Sequence, residues 1–140
     1  MSGKREASSR FKAYVDGASR GNPGKAGAGV WIEGDPPNEL TCYLGEATNN
    51  EAEYQALLVA LKEAHRRGVA GVQIYSDSEL LVRQVQGGYQ IRSEKLRPLY
   101  EQVKDLIERF AEFEIQHVPR EKNREADRLA NKAIDQAREA

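Results

Sequence analysis

Between Asn50 and Arg67 the residues Tyr54, Leu57, Leu58, Leu61 and Ala64 recur at helical spacing, and segments with the period of a β-strand stand on either side. An amphipathic helix set between strands must bury its stripe on a sheet face. A strand reached through such a crossover normally lies parallel to its neighbour in the sheet. This one segment therefore restricts the chain to an α/β architecture. Thr48 or Asn49 can cap the helix, and Gly68 stops it.

Before the helix, Phe11 to Asp16 alternates with period two and ends at Gly17, and Gly21-Asn22-Pro23-Gly24 marks a tight turn. Ala26 to Glu33 and Leu40 to Glu46 flank Gly34 to Asn38 as two antiparallel strands. After the helix, Val72 to Asp77 predicts a fourth strand and Ser78 to Gln84 a short helix broken by Gly87-Gly88. Glu94 to Phe110 predicts another helix, with Pro98 in its first turn, and Phe113 to Val118 a fifth strand. Pro119 to Lys122 form a polar loop. Asn123 then caps a last helix with the stripe Ala126, Leu129, Ala130, Ala133, Ile134 and Ala137.

The order βββαβααβα gives an α/β fold with a five-stranded mixed sheet covered by helices. Three antiparallel strands come first, then parallel fourth and fifth strands, with a site expected at the C-terminal strand edge. Residues 1–9 lack periodicity and are expected to be a disordered tail. Residues 10–140 are expected to form one domain, since a chain of 140 residues has room for one core.

Hydrophobic residues make up 39% and charged residues 31%, a balance too apolar for a disordered chain. The apolar runs are too short to span a membrane, and Met1 to Ser9 lacks the apolar core of a signal peptide, so a cytoplasmic protein is expected. Cys42 stands alone. It excludes an internal disulfide and a cysteine zinc site, and reads as a small buried strand residue. The net charge of −1 argues against a broad basic surface, so any nucleic-acid binding must rest on local groups, cations and backbone donors.

The acids are more informative. Asp16 and Asp77 end the first and fourth strands, which become neighbours if the crossover makes them parallel. Glu53 shares a helix row with Leu57, Ala60 and Ala64, at the edge of the buried face. Asp127 lies early in the last helix, with Ala130 and Ile134 three and seven residues on. Each has an ordinary reading alone: turn chemistry for Asp16 and Asp77, a salt bridge for Glu53, the helix dipole for Asp127. Four acids at element ends and buried-face edges together fit a hard divalent cation held by oxygen ligands. With no His or Cys cluster, magnesium or manganese fits better than zinc.

Tyr14-Val15-Asp16-Gly17-Ala18-Ser19-Arg20-Gly21-Asn22-Pro23-Gly24 resembles the first signature of type 1 ribonuclease H, and Thr48-Asn49-Asn50-Glu51-Ala52-Glu53-Tyr54 the second. Ser76-Asp77-Ser78 and Asn123-Arg124-Glu125-Ala126-Asp127-Arg128-Leu129-Ala130 resemble the third and fourth, in the family's order. The resemblance implies a ribonuclease H-like fold. It implies an endonuclease that cuts the RNA strand of RNA–DNA hybrids, leaving 5′-phosphate and 3′-hydroxyl ends, with Asp16, Glu53, Asp77 and Asp127 binding two Mg2+ ions, or Mn2+ in their place. Double-stranded RNA is the alternative substrate, a non-catalytic nucleic-acid-binding module the alternative role, and a monomer is expected.

The same resemblance carries substrate contacts onto Gly17, Asn22, Thr48, Asn49 and Asn50, with Thr48 helping to hold a DNA phosphate. Capping and turn chemistry is the plainer reading of Asn49. Glu79 falls where relatives carry Gln or Met against the RNA minor groove. Glu46 departs from an Arg that some relatives use in the phosphate pocket, which predicts a weaker pocket. The stretch Gly87 to Arg97 is too short and too lightly basic to match the helical handle of some bacterial members. His117 has a suitable spacing to Asp127 for the family's mobile loop histidine, yet its sequence context assigns it to the fifth strand. Arg120, Glu121 or Lys122 is then left beside the site.

Overall fold

A computed structural model describes residues 10–87 and 90–139, so the expected tail at residues 1–9 lies outside the described residues. The elements are β1 (Arg10–Ser19), β2 (Gly24–Ile32), β3 (Asn38–Ala47), α1 (Asn49–Arg67), β4 (Gly71–Ser76), α2 (Glu79–Val85), α3 (Leu96–Ile107), β5 (Glu112–His117), a 3-10 turn (Arg120–Lys122) and α4 (Arg124–Glu139). The sheet order is β3-β2-β1-β4-β5. β1, β2 and β3 pair antiparallel, whereas β4 is parallel to β1 and β5 to β4, as the order of elements implied.

Helix α1 follows its sequence signals closely. Thr48, rather than Asn49, is the cap: its Oγ1 accepts from the Glu51 N–H at 3.1 Å, and the Glu51 carboxylate accepts from the Thr48 N–H at 2.8 Å. Gly68 ends the helix at φ 71°, in the left-handed region that favours glycine. Tyr54, Leu57, Leu58 and Leu61 are buried against Phe11, Val15, Val30, Ile32, Val72 and Ile74, and α2 and α3 extend this core through Val82, Val85 and Val103.

The opposite sheet face is covered by α4, which packs on β2, β1 and β3. Alternation along β2 sends Ala28, Val30 and Ile32 to the α1 core and leaves Gly27 and Gly29 towards α4. A Cβ at Gly27 would lie 2.4 Å from the Ala130 carbonyl oxygen, and one at Gly29 would lie 2.4 Å from the Ala126 carbonyl oxygen. Backbone rests on backbone here. Ala126, Leu129, Ala130, Ala133 and Ile134 are buried as the stripe required, while Ala137 is only partly buried. Cys42, expected to be buried, is partly exposed because β3 is an edge strand.

Candidate active site

The β1–β4 register pairs Val15 with Ser76, so Asp16 and Asp77, each one residue further on, stand side by side where the β1–β4 ladder ends. β1 continues past Gly17 to Ser19, because its pairing with β2 persists to Ser19 and Ala26. Gly17 admits the first turn of α1: a Cβ there would lie 2.2 Å from the Ala52 carbonyl carbon and 2.4 Å from the Glu53 nitrogen. The Gly17 N–H donates to Glu53 Oε1 at 2.5 Å, which brings that carboxylate to the end of β1. Ligand oxygens of Asp16, Glu53 and Asp77 lie within 4.8 Å of one another.

Asp127, in the first turn of α4, stands near enough to Asp16 to act on its carboxyl. It is exposed, and it is not one of the three acids whose oxygens converge. Asn123 sets the start of α4. Its carbonyl accepts the Asp127 N–H at 3.1 Å, but its side chain does not cap the helix as expected. Instead its Nδ2 donates to the Val15 carbonyl at 2.9 Å, tying the helix start to the residue before Asp16. Asn123 is 1% exposed, so this buried amide is a fixed strut.

Burial is the largest influence on Asp16, followed by the charges of Glu53 and Asp77, and its carboxyl is pushed up to about 10. Burial also raises Glu53, to about 8, against the opposing pull of the Gly17 N–H and the Arg120 guanidinium. Without a cation this cluster holds protons at neutral pH. Packed carboxylates that must otherwise neutralise themselves suit a hard divalent ion, which would replace those protons.

The other residues expected at the site divide into groups. Asn22, Thr48, Asn49 and Asn50 line one cleft together with Ser93 and Lys95, and Asn22 Oδ1 accepts the Asn49 N–H at 3.0 Å. Ser93 and Lys95 precede α3 and carried no sequence motif, so periodicity gave no reason to single them out. Arg120 is exposed on the 3-10 turn, near enough to Glu53 to act on its charge. Glu79 is exposed on α2, paired with Arg83 at 3.1 Å, and it shares a groove with His117 rather than the cleft of the three asparagines. His117 is the last residue of β5, in register with Ser76, as its sequence context implied. Glu46 is exposed near the end of β3, opposite Lys25.

Similarity to known proteins runs along the same residues. The family described as reverse transcriptase-like matches residues 14–133. Ribonuclease HI of Halobacterium salinarum is 42% identical over 131 residues, covering 91% of this chain and 66% of that protein. A bifunctional protein of Mycobacterium tuberculosis is 40% identical over 127 residues, 88% of this chain but only 35% of its own length. The chain thus spans less than two thirds of these relatives. Among solved structures, RNase H1 from Halobacterium salinarum superposes with a TM-score of 0.86 at 39% identity, covering 91% of this chain and 98% of that one. LC11-RNase H1, solved in complex with an RNA/DNA hybrid, superposes with a TM-score of 0.84 at 39% identity over the same shares of the two chains. In fold, in sequence and in the order of its motifs, the chain belongs to the type 1 ribonuclease H family.

Proposed function

We propose that residues 10–140 form a catalytic domain that hydrolyses the RNA strand of RNA–DNA hybrids, leaving 5′-phosphate and 3′-hydroxyl ends. Asp16, Glu53, Asp77 and Asp127 would hold two Mg2+ ions, with Mn2+ as a substitute. The observation that carries this reading is the convergence of Asp16, Glu53 and Asp77 within 4.8 Å at the C-terminal sheet edge, where burial pushes the carboxyls of the first two up. When bound, the cations supply a nucleophilic water at neutral pH and offset the charge that builds on the leaving oxygen of an in-line displacement.

The protein's own groups hold and select the substrate. Gly17 has no side chain to hold α1 away from β1, and its N–H keeps Glu53 turned inward. Asn22, Asn49 and Asn50 present amides that can donate to and accept from 2′-hydroxyls, the groups that tell RNA from DNA. Thr48, Ser93 and Lys95 suit a phosphate of the DNA strand, with Lys95 supplying a cation to a pocket where Glu46 brings none. Arg120, beside Glu53, is suited to the scissile phosphate or the departing product. Glu79 would meet the RNA minor groove from α2, and its pairing with Arg83 makes that contact the weakest of the set.

We place the enzyme in the cytoplasm as a monomer. No helix among the described residues is long and apolar enough to cross a membrane. Cleavage of an end-labelled RNA–DNA hybrid with Mg2+ and with chelator, beside double-stranded RNA of the same sequence, tests the proposal. Metal-dependent cutting confined to the RNA of the hybrid is expected. Cutting that survives chelation, or that prefers double-stranded RNA, overturns it.

A further inference from the structure

Asp127 is the one acid of the four that the sheet does not fix. Its carboxylate is exposed, and it stands outside the three that converge. Along the same row of α4, four and eight residues on, stand Asn131 and Asp135. Asn131 Nδ2 donates to the Asp127 carbonyl at 3.0 Å and approaches Asp127 Oδ1 at 3.4 Å. Asn131 Oδ1 accepts from Arg20 Nη2 at 3.2 Å, and the same Nη2 reaches the Asn131 carbonyl at 3.5 Å. Arg20 Nη1 pairs with Asp135 Oδ1 at 2.7 Å.

A carboxamide is nearly symmetric in shape, so by itself Asn131 could turn either its NH2 or its oxygen towards Asp127. The guanidinium removes that choice, because it only donates and can bond only the oxygen. With Oδ1 held by Arg20, the NH2 must face the Asp127 carboxylate. We infer that Arg20, reaching from the turn between β1 and β2, is a positioning residue for the fourth acid: it sets the amide of Asn131 so that a donor meets Asp127 and aims its carboxylate at Asp16 and the cation site. This rests on the reading of the four acids as cation ligands. The contacts are partly exposed, with Arg20 and Asp135 side chains 35% and 59% accessible, so they orient a ligand rather than hold the fold together. Supports behind a ligand shell commonly govern metal affinity in this way.

The test is calorimetric titration of the substrate-free protein with Mn2+, using the native chain, Arg20→Ala, Asp127→Asn and the double variant, with thermal unfolding of each. Arg20→Ala should weaken Mn2+ binding roughly 10-fold, the lower end of what loss of a support behind a metal ligand costs, with Tm nearly unchanged. In the Asp127→Asn background the same change should add nothing, because the group it orients is gone. Unchanged or tighter Mn2+ binding by Arg20→Ala overturns the inference, and so does an equal loss in both backgrounds. A native chain that takes up no Mn2+ overturns both this inference and the proposed cation site, whereas normal uptake by the native chain and by Arg20→Ala alike overturns the inference alone.

Discussion

Two helices bring acids to the end of β1 from opposite faces of the sheet, and they are seated differently. α1 buries Tyr54, Leu57, Leu58 and Leu61 in the main core, and its Glu53 is buried with its carboxylate held by the Gly17 N–H. α4 lies on Gly27 and Gly29 with Ala126, Leu129, Ala130, Ala133 and Ile134 buried, and its Asp127 is exposed and approached by the Asn131 amide. A large apolar interface fixes an acid by immobilising its helix. A close backbone contact brings a helix near but leaves its acid to be oriented by polar groups.

The sharpest break of this comparison comes from the acids themselves. Asp16→Asn or Asp77→Asn should lower kcat by at least the ~10²–10³-fold that loss of one preorganised charge-stabilising group costs, with the circular dichroism spectrum unchanged. Asp127→Asn should lose less, and an equal or larger loss would mean that the exposed acid is as firmly engaged as the three that converge.

Substituting the glycines separates the two seats. Gly17→Ala forces a methyl onto the backbone of α1, which the main core prevents from retreating, so a loss at or above the usual ~1–3 kcal/mol of overpacking is expected in urea unfolding. Gly29→Ala meets the backbone of α4 just as closely, yet α4 packs on the other face of the sheet, outside the main core. It should remain folded and lose activity roughly 10–100-fold through a displaced Asp127, as when the support of a ligand is removed.

Proton linkage probes the buried side alone. Asp16 and Glu53 sit above their ordinary values, so their contribution to stability is full below pH ~4 and is lost as pH rises through about 8 for Glu53 and about 10 for Asp16. Metal-free protein should therefore melt progressively lower from pH 5 to 9. Added Mg2+ should raise Tm more at pH 9 than at pH 6, and Asp16→Asn should flatten the pH dependence. A Tm that climbs with pH over this range would contradict the buried, protonated cluster. The smallest effect is expected at the cleft rim: Lys95→Ala should raise KM a few-fold and reduce the salt slope of hybrid binding by about one, leaving kcat intact.

Periodicity carried most of the architecture, because each strand and helix must present one apolar face, and the crossover through α1 determined which strands run parallel. Boundaries moved at the turns that flank a helix. α3 starts at Leu96 rather than Glu94, and Ser93 Oγ accepts the Leu96 N–H at 3.3 Å in the turn that leads into it. It ends at Ile107 rather than Phe110, as Arg109 and Phe110 turn onto the carbonyls of Leu106 and Ile107. The convergence of Asp16, Glu53 and Asp77 was legible because each stands at an element end or at the edge of a buried face. Their supports were not. Asn123 bonds Val15, 108 residues away in the chain, and Arg20 bonds Asn131 across 111, and no local pattern encodes such a pairing.

The parallel ladder between β1 and β4 works as a ruler. Since Asp16 and Asp77 are each one peptide beyond paired residues, their separation is dictated by the spacing of adjacent strands and not by the length of chain joining them. Connections far from that edge, such as the hairpin around Gly34 to Pro37, are thus free to lengthen or shorten over generations while the gap between the two carboxylates stays constant.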